Sequence, residues 1–139
     1  MTRPEQLPAA QAAGQIVTTL AVERVPGDAV RAIGTVERDE LEGRLLWVRP
    51  RQEALEQVLL RLPELDHVVS ADVVFRDAHR PTLDQLIAVW GTPETSRPDD
   101  AHHANLMFTV TAADGRRAYV TAQEPEADAP VDQLLVVLP

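Results

Sequence analysis

The sequence predicts an α+β fold, a mostly antiparallel β-sheet packed with two or more amphipathic helices. Two segments carry apolar residues at helical spacing, short apolar or β-branched runs alternate with turn residues, and one Asp-Gly pair indicates a hairpin. The 139 residues are enough for one domain with a core. We expect residues 1–8 to form a flexible tail and residues 9–139 to form a single α+β domain.

Residues 81–94 give the strongest helix prediction. Thr82 is a suitable N-cap, and a glutamine three residues later completes a capping box. One apolar stripe then runs along the segment. Gly91 can adopt the left-handed conformation that ends a helix, and Pro93 prevents continuation. The stripe consists of Leu83, Leu86, Ile87 and Trp90.

A second helix is predicted to begin at Pro50 and end before Pro63, because its leucines and valine repeat the same spacing. The LEQVL sequence of this segment matches LDQLI in the first helix. Arg-Pro precedes each helix and Pro-Glu follows it, which favours two related β-α-β units. The apolar positions are Leu55, Val58, Leu59 and Leu62.

The remaining segments favour strands. Residues 9–13 could start a short helix, but Gly14 interrupts it, and residues 16–20 are β-branched and read as strand. Residues 26–28 form a predicted turn between this strand and the next. Asp114-Gly115 is typical of a two-residue type I′ turn, which would pair Val110 with Tyr119 and leave the register open. The other predicted strands are residues 29–37, 45–48, 67–75, 106–112, 116–123 and 131–138, the last lying inside the sheet.

Composition excludes several classes of function. The formal net charge is −9, all basic residues are arginine, and no basic stripe interleaves with aromatic residues, so nucleic-acid binding is disfavoured. No apolar run is long enough for a transmembrane segment. The chain has no cysteine, which excludes disulfides and thiolate metal sites within it. No nucleotide-binding motif is present, and we expect no cofactor.

Residues 48–139 resemble a small domain of bacterial envelope proteins that are lipoprotein-like and of unknown function. The similarity rests on four short motifs: Arg49-Pro50, Pro81-Thr82-Leu83, Trp90-Gly91-Thr92-Pro93-Glu94 and Ala129-Pro130-Val131-Asp132. The helix, Gly-x-Pro turn and following strands are also similar to the BamE/SmpA lipoprotein module. The resemblance implies an extracytoplasmic binding or scaffolding module without catalytic residues.

The chain departs from that family in having no signal peptide and no lipobox cysteine. Its compartment is therefore open at this point. We expect the envelope if a leader has been trimmed, and the cytoplasm if Met1 is the native start.

The best metal-site candidates lie in the polar stretch of residues 96–105. Asp99, Asp100, His102 and His103 could ligate Zn²⁺ or another divalent ion, with His79 as a further ligand. Their spacing matches no established metal motif, and adjacent histidines diverge in an extended chain, so a solvated loop is the simpler interpretation.

Other candidate constellations are weaker. His67, Ser70 and Asp72 resemble a compressed triad, but strand alternation places His67 on one face and the other two on the opposite face. Trp90 could line a ligand pocket, although core packing explains its helical spacing. Trp47 could also line a pocket.

Two acidic groups lack the calcium-loop pattern and are expected to be solvated turns. A paired-carboxylate hydrolase remains open, because the separation of carboxylates is set by tertiary structure. The groups are Glu37/Asp39/Glu40/Glu42 and Glu124/Glu126/Asp128.

The leading hypothesis is a non-catalytic protein-interaction or scaffolding module of the bacterial envelope, whose protein partner and oligomeric state the sequence does not identify. One alternative is a small metal-dependent or acid–base enzyme that uses residues 99–103. Another is a small-ligand sensor with a pocket near Trp47.

Overall fold

The chain folds into an eight-stranded antiparallel sheet with three helices, as the computed structural model of residues 6–96, 104–125 and 129–139 shows. The α+β prediction is confirmed. The helices are α1 (Ala9–Val22), α2 (Pro26–Ile33) and α3 (Leu83–Trp90). The strands are β1 (Gly34–Glu40), β2 (Leu45–Pro50), β3 (Leu55–Arg61), β4 (Ser70–Phe75), β5 (Glu94–Ser96), β6 (Asn105–Thr111), β7 (Arg117–Gln123) and β8 (Gln133–Val137).

The strand order is β1-β2-β3-β4-β8-β7-β6-β5, so two four-stranded halves join through β4 and β8. Each half is a helix followed by four strands, and the second half repeats the first in reverse spatial order. The segment after each helix also repeats, as Gly34-Thr35-Val36-Glu37 after α2 and Gly91-Thr92-Pro93-Glu94 after α3. The prediction of two β-α-β units is wrong, since every pairing is antiparallel.

The core lies between one face of the sheet and the helices. α1 packs against β3, β6 and β7, α2 against β1 and β2, and α3 against β6 and α1. In β2, β4, β6, β7 and β8, alternate residues point into this layer and are the more buried ones, whereas β1 and β5 at the two edges contain no fully buried residue. The fully buried large side chains include Leu20, Ile33, Val48, Val58, Leu60, Phe75, Leu86, Phe108 and Leu134.

The helix predicted at residues 81–94 is confirmed as α3. Thr82 Oγ1 accepts from the Gln85 N–H at 3.2 Å, and the Gln85 side chain accepts from the Thr82 N–H at 2.9 Å. This reciprocal pair is the predicted capping box. Gly91 has φ +83°, and its N–H donates to Ile87 O at 2.7 Å. The stripe faces the core, with Leu86 fully buried.

The predicted second helix is wrong, because Leu55–Arg61 is strand β3. A β-bulge between Leu55 and Gln57 explains the misleading spacing. The extra residue shifts the strand phase, so Leu55 and Val58, three positions apart, are both fully buried. Two similar pentapeptides therefore adopt different structures, one as β3 and the other as α3.

The N-terminal predictions are also wrong in part. Residues 9–22 form one continuous helix that Gly14 does not interrupt. Gly14 lies where α1 meets α3, and a Cβ there would be 3.1 Å from Val89 Cγ1, so its presence reflects packing and not a helix end. The predicted turn at residues 26–28 is instead the first turn of α2, with Pro26 at its start and Asp28 in the favourable first turn.

The hairpin at Asp114-Gly115 is confirmed, but its register differs by one residue from the two-residue turn. The Ala112 N–H donates to Arg116 O at 2.8 Å and the Gly115 N–H to Ala112 O at 2.9 Å, with Gly115 at φ +90°. This three-residue loop pairs Val110 with Ala118. Apolar residues therefore share one face of β6 and β7. The prediction that the last strand lies inside the sheet is confirmed by β8.

Candidate interaction surface

The predicted metal ligands Asp99, Asp100, His102 and His103 lie outside the described residues. His79 is exposed in a 3₁₀ turn, Asp77–His79, next to the Asp77–Arg80 ion pair. Within residues 6–96, 104–125 and 129–139, no three His, Asp or Glu side chains cluster as metal ligands would.

The triad-like residues do not form a catalytic arrangement. His67 Nδ1 lies 2.7 Å from Asp66 Oδ1, and Asp72 Oδ2 accepts from Arg61 Nη2 at 2.6 Å. Ser70 and Asp72 lie on the same face of β4, as alternation predicts, and β4 begins only at Ser70. His67 and Asp72, the two side chains that would have to assist Ser70, thus make their hydrogen bonds to other residues.

The first predicted acidic group belongs largely to strand β1. Glu37 pairs with Arg49 at 2.8 Å, and Glu40 pairs with Arg38 at 3.1 Å. In the second group, residues 126 and 128 lie outside the described residues. The Glu37–Arg49 pair joins β1 to β2 and the Glu40–Arg38 pair lies within β1, so these carboxylates have a structural role in this half of the molecule.

The face of the sheet away from the helices, which we call the open face, is the most distinctive surface of the described structure. Cross-strand pairing aligns its side chains into two central rows. One row runs Trp47, Leu59, Asp72, Leu135, Thr121, Met107 and Glu94. The other runs Leu45, Arg61, Ser70, Val137, Tyr119 and Thr109.

Apolar groups occupy the middle of the open face. Leu135 and Val137 on the central strand β8 are 40% and 39% exposed, respectively. A central strand usually buries such residues on both faces when a second layer is present. None of α1–α3 supplies that second layer, because all three pack on the opposite face.

Charge on the open face is compensated. On the β1–β4 half, its arginines form ion pairs with carboxylates of the same half: Arg38–Glu40, Arg49–Glu37 and Arg61–Asp72. The β5–β8 half presents mainly Thr, Tyr, Met, Leu, Val, Gln and Asn, with charges only at its margins, at Glu94 and Arg117. A chain of net charge −9 thus has one nearly neutral face.

The two tryptophans serve different surfaces. Trp47 lies on the open face with the Arg38 guanidinium 4.2 Å from its ring centroid, so one side of its ring is covered. Trp90 packs against Phe108, with ring centroids 5.4 Å apart. Core packing of Trp90 is therefore confirmed, although its outer edge lines a groove described below.

None of the helices in the described part of the chain combines the length and hydropathy of a membrane-spanning segment. The pocket-like surfaces are open clefts. The cleft beside the β7–β8 connection has a volume of about 530 Å³ and includes Thr121, Gln133 and Leu135 of the open face. The open face therefore ends in a concave margin at this connection.

Comparisons with known proteins give a fold relationship. No family model matches the chain, and no curated protein matches it. Among solved structures, the chain is similar to YjgB, a DUF4309 family protein from Bacillus subtilis subsp. subtilis str. 168. The TM-score is 0.57 at 11% sequence identity, over 95% of this chain and 99% of that chain. At this identity the similarity shows a shared fold.

Proposed function

We propose that this protein is a non-catalytic protein-interaction module whose open face binds a folded protein partner. The observation that carries the proposal is the exposure of Leu135 and Val137 on the central strand of an eight-stranded sheet. Apolar groups in the middle of a flat surface, with polar groups at its margin, match the anatomy of a protein interface.

The dimensions of the open face support this proposal. Strands spaced roughly 4.8 Å apart and rising roughly 3.3 Å per residue give a face of about 34 Å by 20 Å, or roughly 700 Å². A standard interface covers roughly 800 Å² on each partner. The residue types also fit, because Trp47, Tyr119, Met107 and Arg61 belong to the types enriched in interfaces.

The charge distribution favours a partner of positive net charge over a second copy of the chain. Two copies of net charge −9 repel each other at long range, whereas a basic protein is attracted. Because the open face itself is nearly neutral, contact there requires no unpaired charge to be buried. We expect the association rate to fall as salt rises, while the contacts formed on the face remain apolar.

We further propose that the module acts in the bacterial envelope. The resemblance of residues 48–139 to lipoprotein-like envelope domains and to the BamE/SmpA module supports this location. Binding-partner capture from separate cytosolic and envelope fractions tests it. A stoichiometric partner from the envelope fraction supports the location, and one from the cytosol contradicts it.

The interface is tested with two charge-matched variants. Val137→Arg changes the open face, and Val22→Arg changes an equally exposed valine (37%) at the end of α1, among the helices. We expect Val137→Arg to reduce capture of a basic partner at least tenfold and Val22→Arg to leave it unchanged. Equal capture by both variants would contradict the assignment of the open face.

A catalytic function is tested in the same preparations. A turnover at enzyme rates that one point substitution abolishes would contradict the non-catalytic proposal. Stoichiometric metal that is lost in a His102→Ala, His103→Ala double variant would support the metal-dependent alternative instead.

A further inference from the structure

We propose a second docking site, separate from the open face, at which the edge of β6 accepts an extended, uncharged, apolar segment of a partner protein as an added strand. The sheet ends at β5, which has three residues and pairs only with residues 105–107 of the seven-residue β6. Among the described residues, 109–111 thus continue beyond β5 as the outermost part of the sheet on this side.

The hydrogen-bonding direction of this edge follows from the β6–β7 register. The Ala112 N–H donates to Arg116 O, and the Glu124 N–H donates to Ala104 O, so even-numbered residues of β6 bond to β7. The register has no bulge between these two pairs. The N–H and C=O groups of Thr109 and Thr111 therefore point outward, and they make no hydrogen bond with any described residue.

A groove lies beside this edge, which no described residue pairs with; Gln11, Gln15, Thr18 and Thr19 of α1 contribute uncharged polar groups to its lining. It has a volume of about 560 Å³ and is formed where α1 and α3 meet β6. Val110, which lies between the two outward-pointing residues, lines the groove together with Val89 and Trp90. Gly14 keeps this crossing close, since its missing side chain leaves Val89 in contact with α1.

These two features together select an extended peptide. A strand added at Thr109 and Thr111 would complete their main-chain hydrogen bonds, and its residue opposite Val110 would project into the groove. Main-chain bonds then give affinity and the groove gives side-chain selectivity. Thr109 and Thr111 are two residues apart, so an extended strand can bond the N–H and C=O groups of both residues at once.

Charge defines the segment further. None of the described residues that line the groove is charged, and the fourteen residues of α1 include no charged residue. A charged side chain entering this groove would lose hydration without gaining a partner. The inserted residue and its neighbours in the strand are therefore uncharged, and contact with Val89, Trp90 and Val110 favours an apolar side chain at the inserted position.

Area argues against a second copy of this chain as the occupant. A free edge of three residues is roughly 10 Å long, so edge-to-edge pairing of two copies would bury far less than the roughly 1,000 Å² of a stable interface. The net charge of −9 on each copy adds repulsion. A short peptide segment bound weakly, with a Kd in the micromolar range or above, fits these dimensions.

The test uses capped heptapeptides in which leucine alternates with threonine, together with versions N-methylated at single positions. Binding to the full chain is followed by amide chemical shifts, together with the shift of the Trp90 indole N–H, which is resolved from that of Trp47 on the open face. We expect shifts at residues 107–111 and at Val89, and at least a tenfold loss of affinity on N-methylation at every second position only. The proposal would be overturned if N-methylation at odd and at even peptide positions reduced affinity equally, or if the chemical-shift changes were confined to the open face.

Two pairs of variants make the test specific. Thr111→Pro removes an outward N–H and leaves the β7 ladder intact, while Thr111→Val keeps the N–H. Val89→Asp places a charge in the groove from a position that is 37% exposed, so it protects the test if the proline variant misfolds. We expect Thr111→Pro and Val89→Asp to lose peptide binding tenfold or more, whereas Thr111→Val and the open-face variant Val137→Arg retain it. Loss in Val137→Arg alone would place the peptide on the open face.

Discussion

Gly34 provides the sharpest test of the packing between β1 and β2. Its φ of 173° is ordinary extended backbone, so the constraint is one of space. A Cβ built on this residue would lie 1.9 Å from the carbonyl oxygen of Arg49 and 2.8 Å from its carbonyl carbon. Both atoms belong to the backbone of the paired strand, in the register Gly34↔Pro50, and no rotamer change can move them.

The cost of Gly34→Ala follows from these contacts. Relieving a 1.9 Å contact requires β1 and β2 to separate by more than an ångström at this point. Strain from overpacking costs roughly 1–3 kcal/mol. Each hydrogen bond lost nearby, such as the Arg51 N–H to Ile33 O bond at 3.0 Å, costs a further ~1 kcal/mol. We expect the free energy of unfolding to fall by about 2–4 kcal/mol.

Gly27→Ala is the matched control, because it makes the same chemical change seven positions earlier. Gly27 lies in the first turn of α2, and a Cβ there would be 3.6 Å from Arg31 Nη1, an ordinary contact. Alanine at such a position stabilises by roughly 0.4–1 kcal/mol, since it restricts the unfolded chain. The two substitutions should therefore have opposite signs.

Urea denaturation followed by far-UV circular dichroism measures both variants at a common m-value. A Gly34→Ala protein within about 0.5 kcal/mol of the parent would refute the close approach of β1 to β2. A Gly27→Ala protein destabilised as strongly as Gly34→Ala would show that any added methyl in this region is harmful, and would refute the spatial argument.

Four further predictions use the same denaturation assay. Thr82→Ala should cost about 1 kcal/mol because it breaks the capping box of α3, and an unchanged midpoint would contradict that role. Leu86→Ala should cost roughly 2–5 kcal/mol, since Leu86 is fully buried. Leu135→Ala, on the open face, should cost less than about half of that; equal costs would mean that this face is covered. Gly14→Ala should be more favourable in a Val89→Ala background than alone, because the shorter side chain removes the 3.1 Å contact.

The sequence correctly predicted the elements that are bounded by capping or turn residues. The capping box and Gly91 define both ends of α3 without help from tertiary contacts. Asp114-Gly115 likewise predicted the hairpin, although the choice between a two-residue and a three-residue loop depended on which faces of β6 and β7 meet the helices. Continuous apolar character placed β8 inside the sheet.

Tertiary packing decided the elements that were predicted wrongly. Gly14 is unfavourable in an isolated helix, but at the crossing with α3 a Cβ would lie 3.1 Å from Val89 Cγ1, a tight contact that favours glycine there. In β3, a bulge gave a strand the spacing of a helix, and the pentapeptides LEQVL and LDQLI alone do not separate strand from helix, although only LDQLI follows an N-cap residue, Thr82. The long-range pairing with β2 and β4 made the difference.

The candidate surface could not be read from sequence because it depends on which strands become neighbours. Leu135 and Val137 lie in an almost continuous apolar run, which predicted a strand inside the sheet but not which of its faces is covered. Only the strand order shows that α1–α3 cover one face alone. The Gly-Thr-x-Glu sequence that follows α2 and α3 is a sequence signal of the two halves, whereas the LEQVL/LDQLI match joins a strand to a helix.

The two halves also explain why strand addition is expected at one edge of the sheet and not at the other. β1 is seven residues long, and it carries consecutive charged residues, Glu37, Arg38, Asp39 and Glu40, with a bulge between Val36 and Arg38. Charges and bulges protect an edge from pairing with other chains. Its counterpart β5 has three residues and leaves the uncharged residues 109–111 of β6 without an outer neighbour in the described structure. β1 and β5 occupy equivalent positions in the two halves. Because β1 is long and charged whereas β5 is short, we expect an added strand to pair with β6 and not with β1.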